Sequence, residues 1–318
     1  MQDGADTLET DLSGLKAAEW KERLATLSEE LGQFQPLGER HCAAFIDQGN
    51  TLLVSFETLQ GIQSLSDLAQ PLGFDLVRNL GWSHLCVISE GDTWFRDEQV
   101  YGFFDQLIDD GFFEEFDRVV FYGAGPCGYA ACAYSVAAPG ATVVAIQPQA
   151  TLDPRMADWD DRFVEMRRTS FSDRYGYAPD MLDAADQAFV LFDPYERLDA
   201  MHAALFARSN VTRWRLPNFG GAVQTRLIEM EILYQILSMA GSGKLNGQVL
   251  SRLLRARRNN PAYLRNVMAS LDKSDRPYLM TLLCRNVSAR LRAPRFRQRL
   301  QNLRQRAAEG DFTLPPEL

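Results

Sequence analysis

Between residues 41 and 217 the chain alternates two hydrophobic patterns. Short, largely apolar runs at residues 51–56, 84–89, 118–122, 142–146 and 188–192, and the more polar 211–216, predict strands, and helical spacing at 98–108, 129–138 and 197–207 predicts helices. Runs that are apolar throughout, rather than at every second position, suit strands covered on both faces. The predicted architecture is a three-layer α/β fold around a mostly parallel sheet.

The two ends read differently. In the first 36 residues, Leu15, Leu24, Leu27 and Leu31 fall near helical spacing before Gly32 and Pro36, which predicts an N-terminal helical arm. After Gly220-Gly221 the pattern turns helical and stays so, at 223–239, 247–258, 262–271, 278–290 and 295–307, with Pro261, Pro277 and Pro294 as punctuation. This divides the chain into an arm (1–36), an α/β domain (37–243) and a helical C-terminal region (244–318).

Composition narrows the class. A hydrophobic fraction of 46% supports a sizeable buried core. No apolar run reaches the ~18 residues that a membrane helix requires, and the acidic start Met1-Gln2-Asp3-Gly4-Ala5-Asp6 is unlike a secretory signal. A soluble cytoplasmic protein is expected. The net charge of −9 is unevenly spread: residues 1–243 carry −20 and residues 244–306 carry +14, almost all of it arginine. Arginine forks suit fixed carboxylate or phosphate partners, so an acidic protein or the chain's own acidic domain is the expected partner of the tail. Aromatic residues are sparse among these arginines, and a nucleic-acid stacking surface is not indicated.

Residues 118–149 hold the most informative motif. The run Val119-Val120-Phe121-Tyr122 enters Gly123-Ala124-Gly125-Pro126-Cys127-Gly128, a small-residue helix follows, and a second apolar run closes a βαβ unit. Ligands bind where strand ends meet helix starts in such units. Read as GxGxxG, the turn would hold a flavin or nicotinamide dinucleotide, an oxidoreductase reading that requires an acidic residue after the next strand. Gln147 stands there, so no cofactor is assigned. Read as the elbow G-x-S-x-G, the turn would lift a nucleophile above the sheet.

Further along, Leu53-Val54-Ser55-Phe56-Glu57 ends an early strand, Val190-Leu191-Phe192-Asp193-Pro194 precedes Asp199 and His202, and Leu216-Pro217-Asn218-Phe219-Gly220-Gly221 follows the last strand. Together, Phe121-Tyr122-Gly123 to Tyr129-Ala130-Ala131, Gln147-Pro148-Gln149 with Leu152-Asp153, and Phe192-Asp193-Pro194 with Asp199 resemble a bacterial α/β-hydrolase-like family over residues 40 to 240. The resemblance implies a hydrolase-type sheet with a pocket above Gly125. It also places the family's serine on Gly125 and its histidine at Gly220-Gly221, after which the chain has no histidine. Nucleophilic catalysis needs an attacking group and a base. The expected function is therefore a catalytically degenerate, pseudoenzyme-like protein that binds a small ligand or serves as a scaffold. The alternatives are an active hydrolase or acyltransferase using Cys127 or a displaced nucleophile, and a flavin- or nicotinamide-dependent oxidoreductase using Gly123 to Gly128.

The expected ligand-binding residues are Phe56, Glu57, Gly125, Pro126, Gln149 and Asp193. Cys127, at a helix start, is a candidate nucleophile against a packing role. His202 is a candidate displaced base paired with Asp193, against a buried structural role shared by His41 and His84. The five cysteines show no CxxC, and no H-x-H or H-E-x-x-H occurs, so the spacing indicates neither a metal site nor a disulfide framework.

Overall fold

The computed structural model describes residues 8–316. Eight strands form one sheet: β1 (Gly32–Leu37), β2 (His41–Ile46), β3 (Thr51–Thr58), β4 (Ser83–Ser89), β5 (Arg118–Ala124), β6 (Thr142–Ile146), β7 (Gln187–Phe192) and β8 (Val211–Arg215). Their order is β1-β2-β4-β3-β5-β6-β7-β8. β2 runs against both of its neighbours, and the pairs from β4 through β8 are parallel. Every residue of β4 and β6 is buried, which is why the runs are largely apolar, although β4 also buries Ser83, His84 and Ser89.

The helices are α1 (Ala17–Leu31), α2 (Leu59–Leu65), α3 (Phe74–Leu80), α4 (Glu98–Asp109), α5 (Pro126–Tyr134), α6 (Pro154–Ala157), α7 (Ala178–Met181), α8 (Arg197–Leu205), α9 (Val223–Glu229), α10 (Leu233–Gly241), α11 (Gly247–Leu253), α12 (Pro261–Lys273), α13 (Pro277–Arg290) and α14 (Pro294–Ala308). Alternate residues of a strand face opposite sides of a sheet. Leu52, Val54 and Phe56 accordingly join a core with α4 and α5, where Phe56 stacks on Tyr134 and Phe104 at centroid distances of 5.4 and 5.8 Å. Leu53, Val120, Tyr122 and Val144 face the other way, onto Leu233, Ile236 and Leu237 of α10. No helix among the described residues is long and apolar enough to cross a membrane.

Two boundaries differ from the sequence expectation. The helical arm stops at Leu31, and Gly32–Leu37 pairs with β2 as the edge strand of the sheet. A side chain at position 32 would overlap the Phe45 carbonyl, so only glycine lets the chain turn directly from helix into strand. Pro36 is tolerated because an edge strand pairs on one side only. In the C-terminal region, Leu245, Leu250 and Leu254 pack in the sheet's core beside α10, whereas Leu264, Met280, Cys284, Val287, Phe296 and Leu303 form a separate core of α12 to α14. Each of these three helices begins on a proline, which needs no N–H partner at a first helical position. Among the described residues, no ion pair joins residues 244–316 to residues 8–243; Arg299 pairs with Asp272 and Arg306 with Asp311, both within the region.

Candidate active site

β5 ends at Ala124, Gly125 adopts φ 57° and ψ −123°, and α5 starts at Pro126. This is a tight strand-to-helix elbow. Its glycines have separate duties. A side chain at Gly123 would overlap the backbone carbonyl of Cys127, and one at Gly128 would press on the Ile146 carbonyl at 3.1 Å, so both keep strand and helix close. Gly125 is needed for its positive φ, yet a Cβ there would meet nothing within 4 Å. The glycines thus serve strand–helix crowding rather than a dinucleotide. Gln147, where a ribose-binding acid would stand, is buried and occupied: its amide nitrogen donates to Asp199 and its oxygen accepts from the Val223 N–H.

Beside the elbow lies a cavity of about 610 Å³ at the ends of β3 and β5. Phe56, Glu57, Pro126 and Cys127 all line it, with Gln224 and Tyr234 across from them. The remaining sequence candidates lie elsewhere. Gln149 accepts from the Trp94 indole N–H at 3.0 Å. Asp193 accepts from the backbone N–H groups of Tyr195 (2.9 Å) and Gly220 (2.7 Å), tying the turn after β7 to the Gly220 turn. His202 pairs with Asp160 at 2.9 Å rather than with Asp193, and its Nδ1 accepts from the Ala150 N–H. Arg162 bridges Asp160 to Asp199. Burial raises the Asp160 carboxyl, but hydrogen bonds from His202 and Arg162 outweigh it and hold the group well below the usual carboxylate range. The displaced-base reading of His202 is corrected accordingly: the ring is committed to a buried network behind the β6 and β7 ends.

Tertiary structure assembles a group that sequence reading missed. Ser55 Oγ donates to Glu57 Oε1 at 2.8 Å, His84 Nε2 lies 2.8 Å from the same hydroxyl, and Cys86 Sγ donates to Glu57 Oε1 at 3.3 Å. The Leu72 N–H is 3.2 Å from both carboxylate oxygens. Oε1 therefore faces the buried cluster, and among the described residues Oε2 has only the Leu72 donor. Burial raises Glu57, against the hydrogen bonds that lower it. Burial also holds His84 down to about 3, hence neutral. The Cys127 thiol is pushed well above its ordinary value, first by burial and then by the charge of Glu57, so it rests protonated. The signal for this cluster lay in the period-two spacing of His84 and Cys86, but their neighbours on β3 depend on the register that sets Ser55 beside Cys86.

No family model matches the chain, and no curated protein matches it. Among solved structures, the chain is similar to the carboxylesterase EstE1 from a metagenomic library, at 12% identity over 72% of this chain and 97% of that one, with a TM-score of 0.40. It is similar to the Pyrobaculum calidifontis esterase at 15% identity, 76% and 96% coverage and a TM-score of 0.43. An S-formylglutathione hydrolase from Agrobacterium tumefaciens matches at 10% identity, 62% and 90% coverage and a TM-score of 0.40. The fold is α/β-hydrolase-like by its own topology, a mostly parallel eight-stranded sheet in the order β1-β2-β4-β3-β5-β6-β7-β8 with β2 antiparallel.

The expectation of a catalytically degenerate ligand-binding or scaffolding protein is corrected. The three proteins named above are described as a carboxylesterase, an esterase and an S-formylglutathione hydrolase. Gly125 does lack an attacking side chain and Pro126 lacks the N–H that would follow it. The cavity beside them nevertheless contains a thiol at a helix start and an oriented carboxylate.

Proposed function

We propose that this chain catalyses acyl transfer from a carboxylic ester or thioester to water or a second acceptor, with Cys127 as nucleophile and Glu57 as the base that takes its proton. The carrying observation is that Cys127, second residue of α5, and Glu57, at the end of β3, line the same cavity beside the elbow. A thiol that rests protonated needs a base within its own site. Glu57 is held for that task on its Oε1 side by Ser55 and Cys86.

As Sγ bonds to the substrate carbonyl carbon, the thiol proton passes to Glu57 and the carbonyl oxygen gains negative charge. The N–H groups of Cys127 and Gly128, in the first turn of α5, have no carbonyl four residues back within the helix and supply donors at its positive end. Collapse expels the alcohol or thiol, which takes the proton from Glu57. Water then attacks the acyl-cysteine thioester, Glu57 removes its proton, and the thiol is regenerated as the acid leaves. Phe56, Ile62, Leu72 and Leu233 give the cavity an apolar wall suited to the acyl chain.

The test is a panel of aryl esters and acyl thioesters assayed with the wild type and Cys127→Ala. Turnover in the wild type that is lost in the variant, together with an acyl adduct on Cys127 trapped by acid quench, is the expected result. Equal turnover by both proteins would end the proposal.

A further inference from the structure

Beneath the cavity wall, one ring nitrogen of His84, Sγ of Cys86 and a carboxylate oxygen of Glu57 all lie within 4.8 Å of one another. We infer that Glu57, His84 and Cys86 form a binding site for one divalent cation of the zinc class. The inference does not depend on the acyl-transfer reading, although Glu57 belongs to both.

The donor set is the first reason. Thiolate, imidazole and carboxylate are the groups that zinc takes, and three protein ligands leave a fourth position for water or a ligand. With zinc–ligand bonds of about 2.0–2.3 Å, donors around a tetrahedral zinc stand roughly 3.3–3.8 Å apart. Cys86 Sγ and Glu57 Oε1 are already 3.3 Å apart, and the trio as a whole, within 4.8 Å, would contract by up to about 1 Å to reach that spacing. Charge agrees as well, since one carboxylate and one thiolate neutralise a divalent cation in a buried place.

The scaffold is the second reason. His84 and Cys86 stand two residues apart on one face of β4, and Glu57 comes from the adjoining parallel strand β3. Both strands are central in the sheet, which fixes the donors more firmly than loops would. Ser55 Oγ contacts both His84 and Glu57 and holds them side by side. The segment that covers the cluster is cut to fit it: a side chain at Gly73 would overlap the His84 ring, and the Leu72 N–H fixes the carboxylate.

The third reason is an unsatisfied group. His84 is 1% exposed, and among the described residues its Nδ1 has no hydrogen-bond partner. A buried ring nitrogen in that condition calls for an explanation, and with Nε2 already against Ser55 it is Nδ1 that is open to a ligand. Binding would release the Cys86 thiol proton, and any proton on Glu57, to solvent.

The full-length protein is to be loaded with zinc chloride, freed of loosely bound metal by dialysis, and assayed for metal by atomic spectroscopy. One zinc per chain is expected in the wild type and in Cys127→Ala. Cys86→Ser and His84→Asn should each weaken zinc at least about tenfold, with unchanged circular dichroism. Loading with cobalt(II) should give a thiolate charge-transfer band in the wild type, which keeps the test decisive if the variants misfold. A wild type that takes up no zinc, zinc that persists in both ligand variants, or absence of the cobalt–thiolate band would overturn the site. Loss of turnover in Cys127→Ala with zinc retained separates this outcome from that of the acyl-transfer reading.

Discussion

Ser55 Oγ and His84 Nε2 lie 2.8 Å apart although 29 residues separate them in the chain. β3 and β4 are parallel neighbours, so Leu53 stands beside His84 and Ser55 beside Cys86, and the long imidazole reaches along the strand to the hydroxyl. That one contact positions Glu57, because the same hydroxyl donates to its carboxylate.

Glu57→Gln should therefore act on chemistry more than on substrate affinity. With a base removed and the shape kept, kcat on a thioester substrate is expected to fall by roughly 10²-fold or more, with a much smaller change in KM. Steady-state kinetics check this. A fall confined to KM would assign Glu57 to substrate binding alone.

The elbow glycines should respond differently to a methyl group. Gly125→Ala places its Cβ in open space and carries only the cost of a sparsely populated positive-φ backbone, about 1–3 kcal/mol. Gly123→Ala drives a Cβ into the Cys127 carbonyl, and a loss of more than about 3 kcal/mol is expected. Urea denaturation of the two variants gives the comparison, and equal losses would contradict the crowding argument.

His41 should make the fold acid-sensitive. Burial lowers its pKa from 6.5 to about 4, against the attraction of Asp97 and with smaller lowering by Arg40 and Lys21. The unfolded chain thus binds the proton more readily than the folded one. The neutral ring's contribution is fully present above pH 6.5 and is lost as pH falls from there to about 4. The difference is on the order of 3 kcal/mol. Urea melts at pH 7 and pH 4.5 should show a smaller pH dependence for His41→Gln than for the wild type. An unchanged slope in the variant would count against this account.

Asp160→Asn should destabilise the fold without touching the cavity. Asp160 is buried between His202 and Arg162, and its neutral replacement leaves the Arg162 guanidinium with Asp199 alone. A loss of about 2–3 kcal/mol is expected, below the usual range for a fully buried pair because Arg162 is one-third exposed. Thermal unfolding measures the loss, and thioester turnover per folded molecule should stay near that of the wild type. A lower turnover per folded molecule would show that this network supports the site.

Much of the frame was legible beforehand. Continuous apolar runs marked β3 to β7, and the proline starts marked α12 to α14, because covering on both faces and the missing proline N–H leave local signatures. β1 was not legible. Gln33, Gln35 and Pro36 carry no strand pattern, and pairing with β2 supplies what local preference does not. Of the candidate residues, Phe56, Glu57, Pro126 and Cys127 meet at one cavity because strand ends and helix starts meet there in any such sheet. Gln149, Asp193 and His202 were read by position along the chain, whereas their hydrogen bonds lead to Trp94, Gly220 and Asp160.

By itself, the sequence determined the alternation of strand and helix, the glycine elbow at residues 123–128 and the concentration of arginine after residue 244, since each is written in neighbouring residues. Only the tertiary structure decided that Ser55, Glu57, His84 and Cys86 share one buried place and that His202 answers to Asp160. Strand register and loop packing join residues tens of positions apart, and no local pattern along the chain encodes which of them will touch.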